Sequence, residues 1–214
     1  MTLHEQRSRF EKLVAPFAEW CALRGITPNQ LTFFSLGLSL AAAILLYISS
    51  PARAWALLAG ALVLALSAFL DSADGVLARR TRKASKLGDF LDHAFDRFAD
   101  VLILLALAFS PWVRLEIGLL AIVGTLLTSY MGTQAQAVGV GRDYGGIMGR
   151  ADRMTLLIAA PVAQALLVLF GQQVPWGTNL LELVVAWIAI AGNITALQRF
   201  WGAYQELRET DQDA

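Results

Sequence analysis

Four aspartates in this chain stand where aspartates are expensive. Asp71 and Asp74 close one long apolar stretch, and Asp92 and Asp96 open the next, with a basic segment between them. A carboxylate inside a membrane span costs about 3 kcal/mol or more at mid-depth, so one found there faces a cavity and has a partner or a task. Asp71 and Asp74 are three apart and Asp92 and Asp96 four apart, so on helices each pair shares one face. Two such faces brought together enclose a cation, and oxygen-only ligation suits magnesium, manganese or calcium. Four like charges this close could not all stay ionised without cations.

The elements that must position these carboxylates are membrane helices. Hydrophobic residues make up 57% of the 214 and mean hydropathy is +0.55, beyond what a soluble domain tolerates. Apolar segments long enough to span the bilayer lie near 30–49, 53–73, 90–109, 113–135, 152–171 and 178–200. The cuts between them coincide with Ser49-Ser50-Pro51, Ser110-Pro111, the glycines from Gly139 to Gly149, and Gly171 through Pro175 to Gly177. Residues 3–23 are too polar to span and read as an interfacial helix. They lack the cleavage pattern of a signal peptide. The predicted fold is therefore an all-α integral membrane protein. An interfacial amphipathic helix (1–25) precedes a six-helix transmembrane domain (26–205) and a polar tail (206–214).

Charge placement sets the expected orientation. Of 17 basic residues, only Arg53 and Arg114 fall on one side of the six-span arrangement, so the other side and both termini are placed in the cytoplasm. The 17 acids cancel the 17 bases, and nothing points to a nucleic-acid partner. From Ala54 to Asp71 is about 25 Å of helix, which puts the acids near the cytoplasmic end of the second span. The short connection between spans two and three predicts antiparallel neighbours that bring the four carboxylates together. Transporter sites usually lie at the midplane, so this depth argues against a divalent-cation carrier, the main alternative of another class. A membrane scaffold would leave the spacing across two helices without a reason.

Taken together, Asp71-x-x-Asp74-Gly75-x-x-Ala78-Arg79, eight further residues, and Gly88-x-x-x-Asp92-x-x-x-Asp96 resemble the signature of the CDP-alcohol phosphotransferases. The resemblance implies a phospholipid-synthesising enzyme that moves a phosphatidyl-type group from a CDP-lipid to an alcohol hydroxyl and releases CMP. It implies that Asp71, Asp74 and Asp92 bind metal, that Asp96 completes this four-aspartate metal cluster and acts as general base, and that Asp92 is the second catalytic aspartate. Two magnesium ions are expected, with manganese as an alternative. Gly75 and Gly88 then allow close approach, Arg79 binds phosphate by a two-pronged contact, and Ala78 and Ser85 belong to the same nucleotide site. Relatives also hold the cytidine with residues before the first span, and Thr27-Pro28-Asn29-Gln30-Leu31-Thr32 is similar to that element. Its nucleotide candidates are Pro28, Asn29, Gln30 and Leu31, although Thr27-Pro28 also reads as an ordinary helix start. The family further suggests a homodimer in the cell membrane.

Gly149-Arg150-Ala151-Asp152-Arg153 is similar to the inositol-phosphate-using members, the phosphatidylinositol-phosphate and archaetidylinositol-phosphate synthases. Arg150, Arg153 and Arg199 are accordingly the candidate acceptor-phosphate residues, and inositol 1-phosphate the leading acceptor. As lipid anchors the same arginines would simply snorkel. Those relatives carry basic residues after a Ser-Tyr pair in span four, where this chain has Ser129-Tyr130-Met131-Gly132-Thr133-Gln134-Ala135-Gln136. Glycerol 3-phosphate and serine are therefore the alternative acceptors. Outside the motif, Asp89 and Asp100 read as charge partners for the basic loop or Arg97. His93 points to an adjacent face, and His4 and Cys21 are incidental. The glycines from 139 to 149 form either a connector or a phosphate nest.

Overall fold

The computed structural model describes residues 3–141, 145–172 and 178–212, so Pro175 and Gly177 lie outside the described residues. Its long elements among the described residues are all helices: α1 (Leu3–Leu23), α2 (Pro28–Ile48), α3 (Trp55–Arg80), α4 (Lys86–Ala108), α5 (Leu115–Ala137), α6 (Arg150–Leu169) and α7 (Leu180–Gln212). By length and composition α2, α3, α5, α6 and α7 can each cross a membrane. α4 has the length, at 23 residues, but carries Asp92, Asp96, Arg97 and Asp100 within its last 18. Those charges belong to the site, and the chain is a multi-pass membrane protein with six long helices.

The six form a closed ring. α2 packs on α3, α3 on α6, α6 on α7, α7 on α5, α5 on α4, and α4 back on α2. α3 and α4 are consecutive yet do not pack along each other, because α2 takes one side of both. The expected neighbourhood of spans two and three is thus indirect. The acids converge at the helix ends, while the helices stay apart and leave a cleft.

Local chemistry explains the elements beside that cleft. Thr27 and Gln30 form a reciprocal capping box at the start of α2, with Pro28 in its first turn. α3 ends where Arg82 takes φ 54° and Lys83 N donates to Ala78 O at 3.0 Å. That closing bond marks a Schellman-type stop in which an arginine occupies the position glycine usually takes. Ser85 then caps α4 by accepting from Gly88 N at 3.0 Å.

The ring is apolar at one end and polar at the other. Leu46, Leu57, Leu64, Ile103, Leu107, Leu181 and Ile188, from the halves remote from the aspartates, fill the first end. Trp112 closes it, its indole N–H donating to Ser49 Oγ at 2.8 Å. Hydroxyls lock α2 to α3 on the way to the polar end: Ser67 Oγ bonds Ser35 O at 2.7 Å and lies 2.8 Å from Ser39 Oγ. α1 lies outside the ring, burying Val14, Ala18 and Cys21 against Ala73 and Leu77 of α3, with a Glu19–Arg80 ion pair beside them.

Candidate active site

A cavity of about 220 Å³ opens between the N-terminal ends of α2 and α4 and the C-terminal end of α3. Pro28, Asn29 and Thr32 line it from α2, and Asp74, Gly75, Ala78 and Arg79 from α3. Its far wall is Ser85, Gly88, Asp89 and Asp92 of the α4 start, with Lys83 and Ala84 of the connection. The spacing of the α2 residues is helical, one face carrying 28, 29 and 32. Gln30 is instead occupied by the cap, and Leu31 is buried in the α1–α3 cluster, so neither faces the cavity. Thr32, which closes the quoted element but was not among its nucleotide candidates, does.

The glycines sit against this space. A Cβ on Gly88 would lie 3.3 Å from Ser85 Oγ and 3.5 Å from Asn29 Oδ1, and one on Gly75 would lie 3.4 Å from Arg79 Nη1. Ser85 lines the cavity while its hydroxyl serves the α4 cap.

Oxygen atoms of Asp71, Asp74 and Asp92 come within 4.8 Å of one another across the α3–α4 gap. Two oxygens on opposite sides of one hard cation stand about 4–5 Å apart, so this spread matches a single coordination sphere. The donor set, all carboxylate, fits a divalent metal. Asp74 is buried, and Thr32 Oγ1 donates to its Oδ2 at 2.6 Å.

Asp96 lies one turn further along α4 and belongs to a different set of contacts. Arg150, the first residue of α6, donates to Asp71 Oδ2 at 3.0 Å and pairs with Asp96 Oδ1. Arg97 Nη2 lies 3.6 Å from Asp96 Oδ2. Arg153 is buried and donates to Asp100 through Nη2 at 2.6 Å and Nε at 3.4 Å. Arg97 reaches Asp100 at 3.3 Å, the pairing expected from sequence. His93 Nδ1 is 3.5 Å from Asp92 and 3.9 Å from Asp89.

Arg199 donates to Thr128 O and Gly145 O, both at 3.0 Å, and so ties α7 to α5 and to the segment leading into α6. That segment behaves as a packed connector. Gly146 has φ +118° and a Cβ there would collide with Thr195, whose hydroxyl accepts from Met148 N at 3.1 Å. Gly149 N donates to Asp152 Oδ2 at 3.0 Å to start α6.

Residues 25–198 match the family model described as CDP-alcohol phosphatidyltransferase. The chain belongs to that family. It is a CDP-alcohol phosphotransferase of phospholipid biosynthesis. Among relatives, the archaetidylinositol phosphate synthase of Pyrococcus horikoshii is 33% identical over 205 residues, covering 96% of this chain and 98% of that one. The fold is that of the phosphatidylinositol phosphate synthase of Mycobacterium tuberculosis. Its crystal structure with CDP-DAG bound matches with a TM-score of 0.72 at 24% identity, over 90% of this chain and 94% of that one. A second structure of the same protein, in complex with manganese and citrate, matches with a TM-score of 0.72 at 24% identity over 89% and 88%.

Proposed function

We propose that this enzyme transfers a phosphatidyl-type group from a CDP-lipid, ester- or ether-linked, to a hydroxyl of inositol 1-phosphate. The observation that carries this reading is the Arg150–Asp96 contact: a guanidinium suited to phosphate stands beside the carboxylate suited to take the hydroxyl proton. The Pyrococcus relative, named for the same acceptor class, supports it.

Each residue then has a task. Asp71, Asp74 and Asp92 hold divalent metal, magnesium or manganese, as two ions. Held there, divalent metal would supply positive charge that offsets the charge developing on the donor's diphosphate and would make CMP a better leaving group. Pro28, Asn29 and Thr32 face the cytidine, Gly75 and Gly88 leave room for the nucleotide backbone, and Arg79 meets phosphate. Asp96 accepts the acceptor's proton as its oxygen attacks phosphorus. Arg150 meets the acceptor phosphate, Arg153 stands behind it, and Arg199 fixes the approach to α6. The donor's tails stay in the bilayer, and its head group enters a cavity open to the cytoplasm, the side of both termini. The assembly is a homodimer.

Purified protein in nanodiscs, given magnesium and CDP-diacylglycerol or CDP-archaeol, should release CMP when offered inositol 1-phosphate. Glycerol 3-phosphate, serine and free inositol should each give less. Faster release with any of these three would overturn the acceptor assignment and leave the family standing.

A further inference from the structure

Arg150 and Arg153 are cations in the first turn or so of α6, where the helix dipole favours anions. Each needs a compensating carboxylate from elsewhere, and α4 supplies both. Asp96 and Asp100 are four apart on one face of α4, and Arg150 and Arg153 three apart on one face of α6. They pair as two rungs, Arg150 with Asp96 and Arg153 with Asp100.

The rungs differ in their surroundings. The side chain of Arg150 is 34% exposed and reaches the aspartate cluster, whereas those of Arg153 and Asp100 are 4% and 1% exposed. α4 and α6 do not pack closely against each other, since α6 lies on α3 and α7 while α4 lies on α2 and α5. The inner rung is therefore a buried strut across a gap that helix packing leaves unset. Asp100 receives two guanidinium nitrogens of Arg153 and one of Arg97, so its carboxylate is saturated by protein. It is not placed to bind metal or substrate.

We infer that Asp100 is a positioning residue for the acceptor half-site: by clamping Arg153 and Arg97 it sets the distance between α6 and the base-bearing face of α4, and so places Arg150 against Asp96. This rests on the assignment of Arg150 to the acceptor phosphate. It separates the roles of the two α6 arginines, Arg150 at the substrate and Arg153 as the strut that holds it there.

The test compares wild type with Asp100→Asn, Arg153→Gln and the double variant in nanodiscs, measuring inositol 1-phosphate KM, kcat and manganese-dependent CDP-lipid binding. The expected result is a rise of tenfold or more in acceptor KM for either single variant, with donor binding within twofold of wild type. The double variant should be no worse than the worse single one, because both remove the same rung. Equal loss of donor and acceptor binding, unchanged acceptor KM, or multiplying effects in the double variant would each overturn the inference. If Asp100→Asn does not fold, Arg153→Lys carries the same test, since it keeps the charge and loses the two-pronged contact. Wild-type failure with inositol 1-phosphate would sink the acceptor assignment and this inference together. Normal wild-type turnover with an unaltered variant KM would sink the inference alone.

Discussion

Thr32 and Asp74 meet across the α2–α3 interface, hydroxyl to carboxylate, at 2.6 Å with both residues buried. Thr32 Oγ1 also lies 3.1 Å from Pro28 O, but its single hydrogen goes to the shorter, charged partner. This bond couples the end of α2 that lines the cavity to one of the three metal-suited aspartates. Groups that orient a metal ligand are typically worth ten- to a hundredfold in metal affinity. Thr32→Val should weaken manganese binding, measured by titration calorimetry, about tenfold, whereas Thr32→Ser should stay near wild type. A Thr32→Val protein with unaltered manganese affinity would show that the bond only holds the helices together.

Gly88 separates stability from function. Alanine is favoured over glycine within a helix by about 1 kcal/mol, so Gly88→Ala should not lower Tm. The added Cβ would press on Ser85 Oγ and Asn29 Oδ1 at the cavity wall. Donor KM should rise severalfold while acceptor KM holds. An unchanged donor KM would place the nucleotide elsewhere.

Arg150 touches both Asp71 and Asp96. A charge-assisted hydrogen bond is worth about 1.5–3 kcal/mol, so Arg150→Gln should raise acceptor KM by roughly ten- to a hundredfold. The same substitution should spare manganese-dependent CDP-lipid binding. Loss of that binding instead would assign Arg150 to the metal site.

The proposed orientation is testable by thiol labelling. Cys21 is fully buried in α1, and burial raises its pKa, so it contributes little background. Arg53→Cys should react with an impermeant maleimide added to intact cells, and Lys83→Cys only after permeabilisation. The reverse pattern would invert the topology.

Most of the polar end was legible because carboxylates inside apolar helices have few explanations, and the Asp71–Asp96 spacing narrowed them further. Two relationships were not legible. Loop length alone made α3 and α4 direct neighbours, but which helices pack depends on α2 reaching both, and no local pattern encodes that. The similarity of Gly149-Arg150-Ala151-Asp152-Arg153 to inositol-phosphate-using members groups Arg153 with Arg150 as an acceptor ligand. Only the position of α4 shows Asp100 taking Arg153 at 2.6 Å. Thr32 could have been found: it lies three residues beyond Asn29 and four beyond Pro28 and so shares a helical face with both, whereas Gln30 shares it with neither and Leu31 only with Pro28.

Asp96 as the base that takes the acceptor's proton beside a metal site of Asp71, Asp74 and Asp92 is tested most directly by Asp96→Asn. In nanodiscs with magnesium, CDP-lipid and inositol 1-phosphate, CMP release should fall about 10²- to 10⁴-fold, the usual contribution of general-base catalysis. Manganese-dependent binding of the CDP-lipid should persist in the same preparation. Turnover within a few-fold of wild type would contradict the assignment of the base.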